Sequence, residues 1–355
     1  MLAYRVNFVA SSSAGWYRSR IFGVMDVQKL PKVELHVHLD CSVSFKAAQA
    51  LQPSLTRQQF RDNFVAPPKC NDLADYLTRA DQGIRLMQSQ EALRVVTRDL
   101  FRQFQRDHVL YAEIRLAPLL HLQGGLTPEQ VAETVLEAGR KGEQQTGIAH
   151  RFIFCTLRRF SEAQSMQTVK LVQRYQEQGV GGFDIAGNES GYPLDAHLPA
   201  FAFAHQHGIP VTMHAGEAVG AESVRRAVTE GLTMRLGHGV RAIEDPQLLE
   251  ELKSHKVHFE ICPTSNIQTN VFRAMPEHPV DRLYRAGHSL SINTDGRTLS
   301  HVTLTDEYRT LQRVFGWQAG HFLRCNQEAL RVAFLPEAER SALRQKLSQS
   351  WRRYS

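Results

Sequence analysis

Runs of apolar and β-branched residues recur at 33–39, 109–116, 151–157, 180–185, 210–214, 234–239, 257–261 and 289–294. Each has the length and flanking turn residues of a buried strand. Between them, segments such as 128–143, 162–177, 198–207, 220–229 and 246–254 carry Ala, Leu, Glu, Gln and Arg at helical spacing. Several open at Pro or an acidic residue and close near Gly, the order in which helices start and stop. Strands alternating with helices predict parallel βαβ units. Eight strands predict an α/β fold of the (β/α)₈ TIM-barrel type in preference to an open sheet. Two helical stretches lie outside the alternation. Residues 44–107 exceed what one crossover needs and are predicted as a lid beside the C-terminal end of the first strand. Residues 303–354 are predicted to close the barrel after the last.

No repeat or linker divides the chain, so residues 25–355 are expected to form a single barrel domain. Residues 1–24 read as a separate extension, Arg-bearing, Ser-rich and free of acids. Such a segment is either a transit-like leader or the product of a start assigned too far upstream, with Met25 opening the folded sequence.

Composition narrows the functional classes. Of 355 residues, 42% are hydrophobic and 22% charged, which is globular and excludes disordered or collagen-like chains. The net charge is +6, and half of the excess comes from Arg5, Arg18 and Arg20 in residues 1–25. The body has no basic stripe. Pairs such as Arg158-Arg159 and Arg352-Arg353 are isolated and expected on solvated faces, so no nucleic-acid partner is predicted. No apolar run reaches the ~18–20 residues of a membrane span, so no membrane partner is predicted. Five widely spaced cysteines without a CxxC pair argue against a disulfide framework. They favour a reducing, cytoplasmic setting. The sequence assigns no oligomeric state.

Polar residues collect where the predicted strands end. The first ends HVHLD, with His36, His38 and Asp40. The fourth ends GFDIAGNE, the fifth MHAGE with His214 and Glu217, the sixth RLGHG with His238, and the eighth SINTDG with Asp295. Catalytic groups of a βα barrel sit at this end of the strands. Alternate residues on a strand face one side, so His36 and His38 could chelate a metal, but taken alone the pair reads first as satisfied or exposed histidines. With His214 and Asp295 they complete a His₃Asp set suited to Zn²⁺, with Fe²⁺ or Mn²⁺ as weaker fits. The bland alternatives are a helix-capping Asp295 and a His214 bonded to a neighbouring carbonyl. Glu217 is placed either to exchange a proton near the metal or as a carboxylate at a helix start.

KVELHVHLD, GFDIAGNE, MHAGE, RLGHGV, ICPTSN and INTD, in this order and spacing, resemble the adenosine deaminase family of metal-dependent hydrolases. The resemblance runs from about residue 32 to residue 295 and implies the barrel fold. It implies one Zn²⁺ per chain, held by His36, His38, His214 and Asp295. It implies Glu217 as the proton donor to purine N1 and His238 as the histidine that orients the attacking hydroxide. Substrate contacts are implied for His38 in the site, for Asp40 at the ribose 5′ hydroxyl, and for Gly187, whose N–H meets purine N3. The activity implied is hydrolytic deamination of a small-molecule purine nucleoside, adenosine or 2′-deoxyadenosine, to inosine or 2′-deoxyinosine and ammonia.

Two positions depart from the family pattern. Gly296 stands where the family has a second acid or an amide that contacts N7, and Cys41 stands where Gly is common. The first departure leaves an expectation that Gly296→Asp raises adenosine turnover, unless Arg297 or a water supplies the contact. Competing expectations are the same chemistry on adenine or on a 5′-modified adenosine such as aminodeoxyfutalosine, and a catalytically silent metal-binding barrel.

Overall fold

The computed structural model describes residues 26–352. The expectation for residues 1–24 lies outside them. Eight parallel strands follow the predicted order: β1 (Lys32–His38), β2 (Val109–Leu116), β3 (Ala149–Leu157), β4 (Val180–Ala186), β5 (Met213–Ala215), β6 (Arg235–His238), β7 (His258–Ile261) and β8 (Ser289–Ile292). They form two four-stranded sheets, β1–β4 and β5–β8. Two seams join the sheets into a barrel. At one, Phe183 N–H donates to Pro210 O and Thr212 N–H to Phe183 O. At the other, His38 N–H donates to Asp295 O at 2.7 Å and Asp295 N–H to His36 O at 2.9 Å. The fifth strand is shorter than predicted because residues 210–212 meet β4 only through the isolated Phe183–Val211 bridge.

The helices begin where their sequence dictates. Thr127 caps Pro128–Thr146 in a capping box with Gln130, and Gly147 ends that helix at φ 71°. Ser161 with Gln164 and Thr303 with Asp306 repeat the device. Residues 44–107 fold into five helices, Phe45–Leu51, Arg57–Phe64, Leu73–Leu77, Ala80–Leu86 and Gln90–Arg106. The third and fourth lie over the C-terminal end of the strands as the predicted lid. The lid is tied down by Ala66 N–H to Leu299 O and Cys70 N–H to Gln268 O. Three helices from Leu304 to Trp351 close the chain.

Beneath the site, the barrel interior holds charge. Arg115 Nε donates to Asp184 Oδ2 at 2.8 Å, and its NH2 group to Glu260. Arg235 bridges Glu260 and Glu113, and Thr212 Oγ1 donates to Glu260 at 3.1 Å. All of these side chains are buried. Each charge is paired, which is what makes such an interior tolerable.

Candidate active site

β1 ends with His36 and His38 facing the barrel mouth, β5 brings His214, and the loop after β8 brings Asp295. Their donor atoms lie within 4.8 Å of one another. His38 Nε2 is 3.2 Å from His214 Nε2 and 3.5 Å from Asp295 Oδ1, and His36 Nε2 is 3.6 Å from the same oxygen. Donors that each lie ~2.0–2.1 Å from one ion sit no more than about 4.2 Å apart, so these spacings fit.

Hydrogen bonding at the far side of each ring supports that fit. His36 Nδ1 donates to Glu260 Oε2 at 3.0 Å, leaving its buried Nε2 without a hydrogen-bond partner. His214 Nδ1 lies 3.0 Å from Asp184 Oδ2. Carboxylates behind ligating histidines fix the tautomer and orientation that a metal needs. Ser265 Oγ donates to Asp295 Oδ2 at 2.7 Å, which turns Oδ1 toward the histidines. Burial alone would raise the Asp295 carboxyl, but the neighbouring His36, His238 and His38 rings hold it well below its ordinary range. Burial pushes His38 and His214 down, so both rings are neutral at physiological pH. His38 and His214 are thus held as neutral imidazoles beside the Asp295 carboxylate, the state in which such groups bind a divalent ion.

Glu217 is buried over the same cluster, 3.6 Å from His238 Nε2. Burial, then Asp295 and Glu189, push its carboxyl well above the ordinary range. Glu189 builds the loop that presents it. Its carboxylate accepts from the N–H groups of Gly216, Glu217, Ala218 and Val219 at 2.6–3.0 Å. His238 is fully buried, and its backbone and that of Asp295 are left-handed, at φ 62° and 61°. Non-glycine residues in sparsely populated backbone regions cost of order 1–3 kcal/mol and concentrate at functional sites.

His38, His214, Glu217, His238 and Asp295 face one cavity, lined also by Asp40, Cys41 and Gly187 and roofed by Leu73, Tyr76, Leu77 and Ile84 of the lid. Burial raises the Asp40 carboxyl to about 6. Gly187 sits at φ 96°, a conformation that favours glycine.

Three expectations change. Arg297 does not reach the cavity: its NH2 group donates to Glu34 and Asp107, 2.8 Å each, on the other side of the β8 loop. Gly296 is hemmed in, because a Cβ there would lie 2.9 Å from the Cβ of Cys41. Restoring an acid at 296 therefore displaces Cys41 before it gains any contact. The Arg158-Arg159 pair also divides. Arg158 turns inward and donates to His214 O at 2.9 Å, while Arg159 is exposed at the cavity mouth.

Sequence reasoning missed Glu260, Asp184, Glu189, Ser265 and Asn266. Asp184 and Glu189 stand inside GFDIAGNE, and Ser265 and Asn266 inside ICPTSN. Those motifs carried the signal, but no role could be given without the partners.

The adenosine deaminase family model matches residues 31–350. An adenosine deaminase of Enterococcus faecalis is 37% identical over 331 residues, which cover 92% of this chain and 98% of that protein. Among solved structures, an adenine deaminase from Arthrobacter aurescens superposes with a TM-score of 0.83 at 21% identity, covering 90% of this chain and 98% of that one. An amidohydrolase from Burkholderia ambifaria with bound Zn gives a TM-score of 0.83 at 20% identity, covering 92% and 91%. These two likenesses speak for the shared barrel.

Proposed function

The chain belongs to the adenosine deaminase family, and from that premise we propose that it is a zinc aminohydrolase converting adenosine and 2′-deoxyadenosine to inosine, 2′-deoxyinosine and ammonia. The observation that carries this reading is the clustering of the His36, His38, His214 and Asp295 donors beside a buried Glu217 whose carboxyl is pushed by burial well above its ordinary range.

One Zn²⁺ per chain suits three imidazoles and a carboxylate better than Mg²⁺ or Ca²⁺, which favour oxygen ligands. When bound, it lowers the pKa of water to about 7 and so supplies a nucleophile at neutral pH. The protein's own groups do the rest. Glu217 donates a proton to purine N1, drawing electron density from C6 as water adds there. His238 orients the attacking oxygen. Asp40 holds the ribose 5′ hydroxyl, and the Gly187 N–H meets N3. Leu73, Tyr76, Leu77 and Ile84 roof the cavity against bulk water. Addition at C6 gives a tetrahedral carbon, and departure of the amine as ammonia restores the ring as the 6-oxo purine.

Residues 25–355 serve as one catalytic domain. The five cysteines are all buried and unpaired, which supports a cytoplasmic setting. Ammonia release from a panel of adenosine, 2′-deoxyadenosine, adenine, AMP and aminodeoxyfutalosine by zinc-loaded protein tests the reading. Preference for the first two upholds it. Activity confined to another member reassigns the substrate, and silence on all five removes it.

A further inference from the structure

His238 is not free to choose which nitrogen carries its proton. A chain of three buried hydrogen bonds runs from it to the backbone of a neighbouring loop. Asn266 Nδ2 lies 3.1 Å from His238 Nδ1, His278 Nε2 lies 3.2 Å from Asn266 Oδ1, and Val280 N lies 3.1 Å from His278 Nδ1. Only the last donor is fixed by chemistry, and it decides the rest. The Val280 N–H can only donate, so His278 Nδ1 accepts and the His278 proton sits on Nε2. That proton goes to Asn266 Oδ1. The Asn266 amide then points its NH₂ at His238 Nδ1, which must accept. The His238 proton is left on Nε2, the buried atom that faces the cavity without a hydrogen-bond partner. Reversing the amide would set two donors against each other at His278 Nε2.

We propose that His278 and Asn266 are positioning residues that hold His238 in its Nε2–H tautomer, so that His238 meets the substrate cavity as a hydrogen-bond donor and not as a resting base. Its function depends on the aminohydrolase reading, whereas the relay itself does not.

Burial supports the arrangement at its origin. The His278 ring is packed near Phe272, only 2% exposed, and held down to about 3, so it stays singly protonated across the working pH range. Asn266 is fully buried on the short helix Pro263–Gln268, its amide backbone tied to Cys262 O at 3.0 Å, so the side chain has a fixed origin. A donor at Nε2 can hold an oxygen by its lone pair in one orientation. A bare Nε2 would instead compete for that oxygen's proton.

The test is the ¹⁵N spectrum of ¹⁵N-histidine-labelled protein, recorded with and without zinc. The His238 signals are identified by their loss in His238→Gln. Nε2 protonated and Nδ1 bare is the expected pattern; the converse in the wild-type protein overturns the proposal, whatever the variants do. Asn266→Asp keeps the shape but replaces the donor by an acceptor, so His238 Nδ1 becomes protonated. With adenosine, kcat is expected to fall about 100-fold while KM stays within about threefold. His278→Phe keeps an aromatic ring but removes the donor, and should mix the two tautomers. His278→Gln, whose amide can donate to Asn266, should restore the single pattern. An unchanged tautomer and kcat in Asn266→Asp would also overturn the proposal. An Nε2–H signal in a protein that deaminates none of the panel would instead sink the functional reading and leave the relay standing.

Discussion

Gly296 and Cys41 occupy one another's space: a Cβ on Gly296 would lie 2.9 Å from the Cβ of Cys41 and 3.3 Å from its carbonyl oxygen. That carbonyl accepts from Thr298 and Leu299 N–H, so the backbone has little room to retreat. Gly296→Asp alone is therefore expected to lower the Tm, since overpacking costs ~1–3 kcal/mol. It is also expected to reduce adenosine turnover. Cys41→Gly with Gly296→Asp should recover the Tm and exceed Gly296→Asp in kcat/KM by about tenfold, the worth of one hydrogen bond. Thermal melts and kinetics of the two singles and the double check this. Strictly additive effects would show that the two positions do not share space.

Asp184 stands behind His214 and also pairs with Arg115, which retains Glu260 when Asp184 is neutralised. Asp184→Asn should therefore fold and bind zinc ~10–100-fold more weakly. Competition with a chromogenic chelator measures the affinity. Dialysis of the wild-type protein against a chelator should abolish ammonia release, and added zinc should restore it.

Glu217→Gln preserves size but cannot deliver a proton, so kcat is expected to fall ~10²–10⁴-fold with zinc content unchanged. Glu189→Gln puts an NH₂ among backbone donors that now share a carboxylate, so the loop carrying Glu217 loses its anchor. A smaller loss of kcat, about tenfold, is expected there. Equal losses in the two variants would show that Glu189 does more than hold the loop.

Glu307 is buried and accepts from Thr264 N–H at 3.0 Å, with Oε2 unpartnered. Burial raises its carboxyl from 4.5 to about 8. Between those values the folded protein holds a proton that the unfolded chain has lost, so rising pH costs stability across that window. Glu307→Gln keeps the acceptor and removes the titration. Its Tm should match the wild type near pH 4.5 and pull ahead as pH rises toward 8, by at most about 1.4 kcal/mol per pH unit. Parallel melting curves across that range would refute the assignment.

How much of this was legible in sequence depends on distance along the chain. β2 has the predicted limits, because an unbroken apolar run between turns has few other solutions. His36 and His38 were legible as a pair because they are two residues apart on one strand. Their partners His214 and Asp295 became legible because each ends a separate predicted strand. Glu260 was not, since a lone acid in HFEI reads as an edge or outward position until Arg115, Arg235 and His36 are seen around it. Asn266 and His278 were opaque for the same reason: their roles lie in hydrogen-bond direction, which no spacing encodes. Arg297 was misjudged because adjacency to Asp295 suggests the cavity, whereas the chain turns it to Glu34 and Asp107.

The charged interior beneath the site bears on how this protein responds to temperature. Unfolding brings Arg115, Arg235, Glu113, Glu260 and Asp184 into water together with the usual apolar core. Polar exposure subtracts from the heat-capacity increment that apolar exposure adds. Five side chains lower that increment by only about a few per cent, so it should stay near the ~12–15 cal/mol/K per residue common to globular domains, with a slightly flatter dome of stability than an all-apolar interior would give. The ionic lattice that orients His36 and His214 therefore adds charge to the barrel's interior with little change in how its stability bends with temperature.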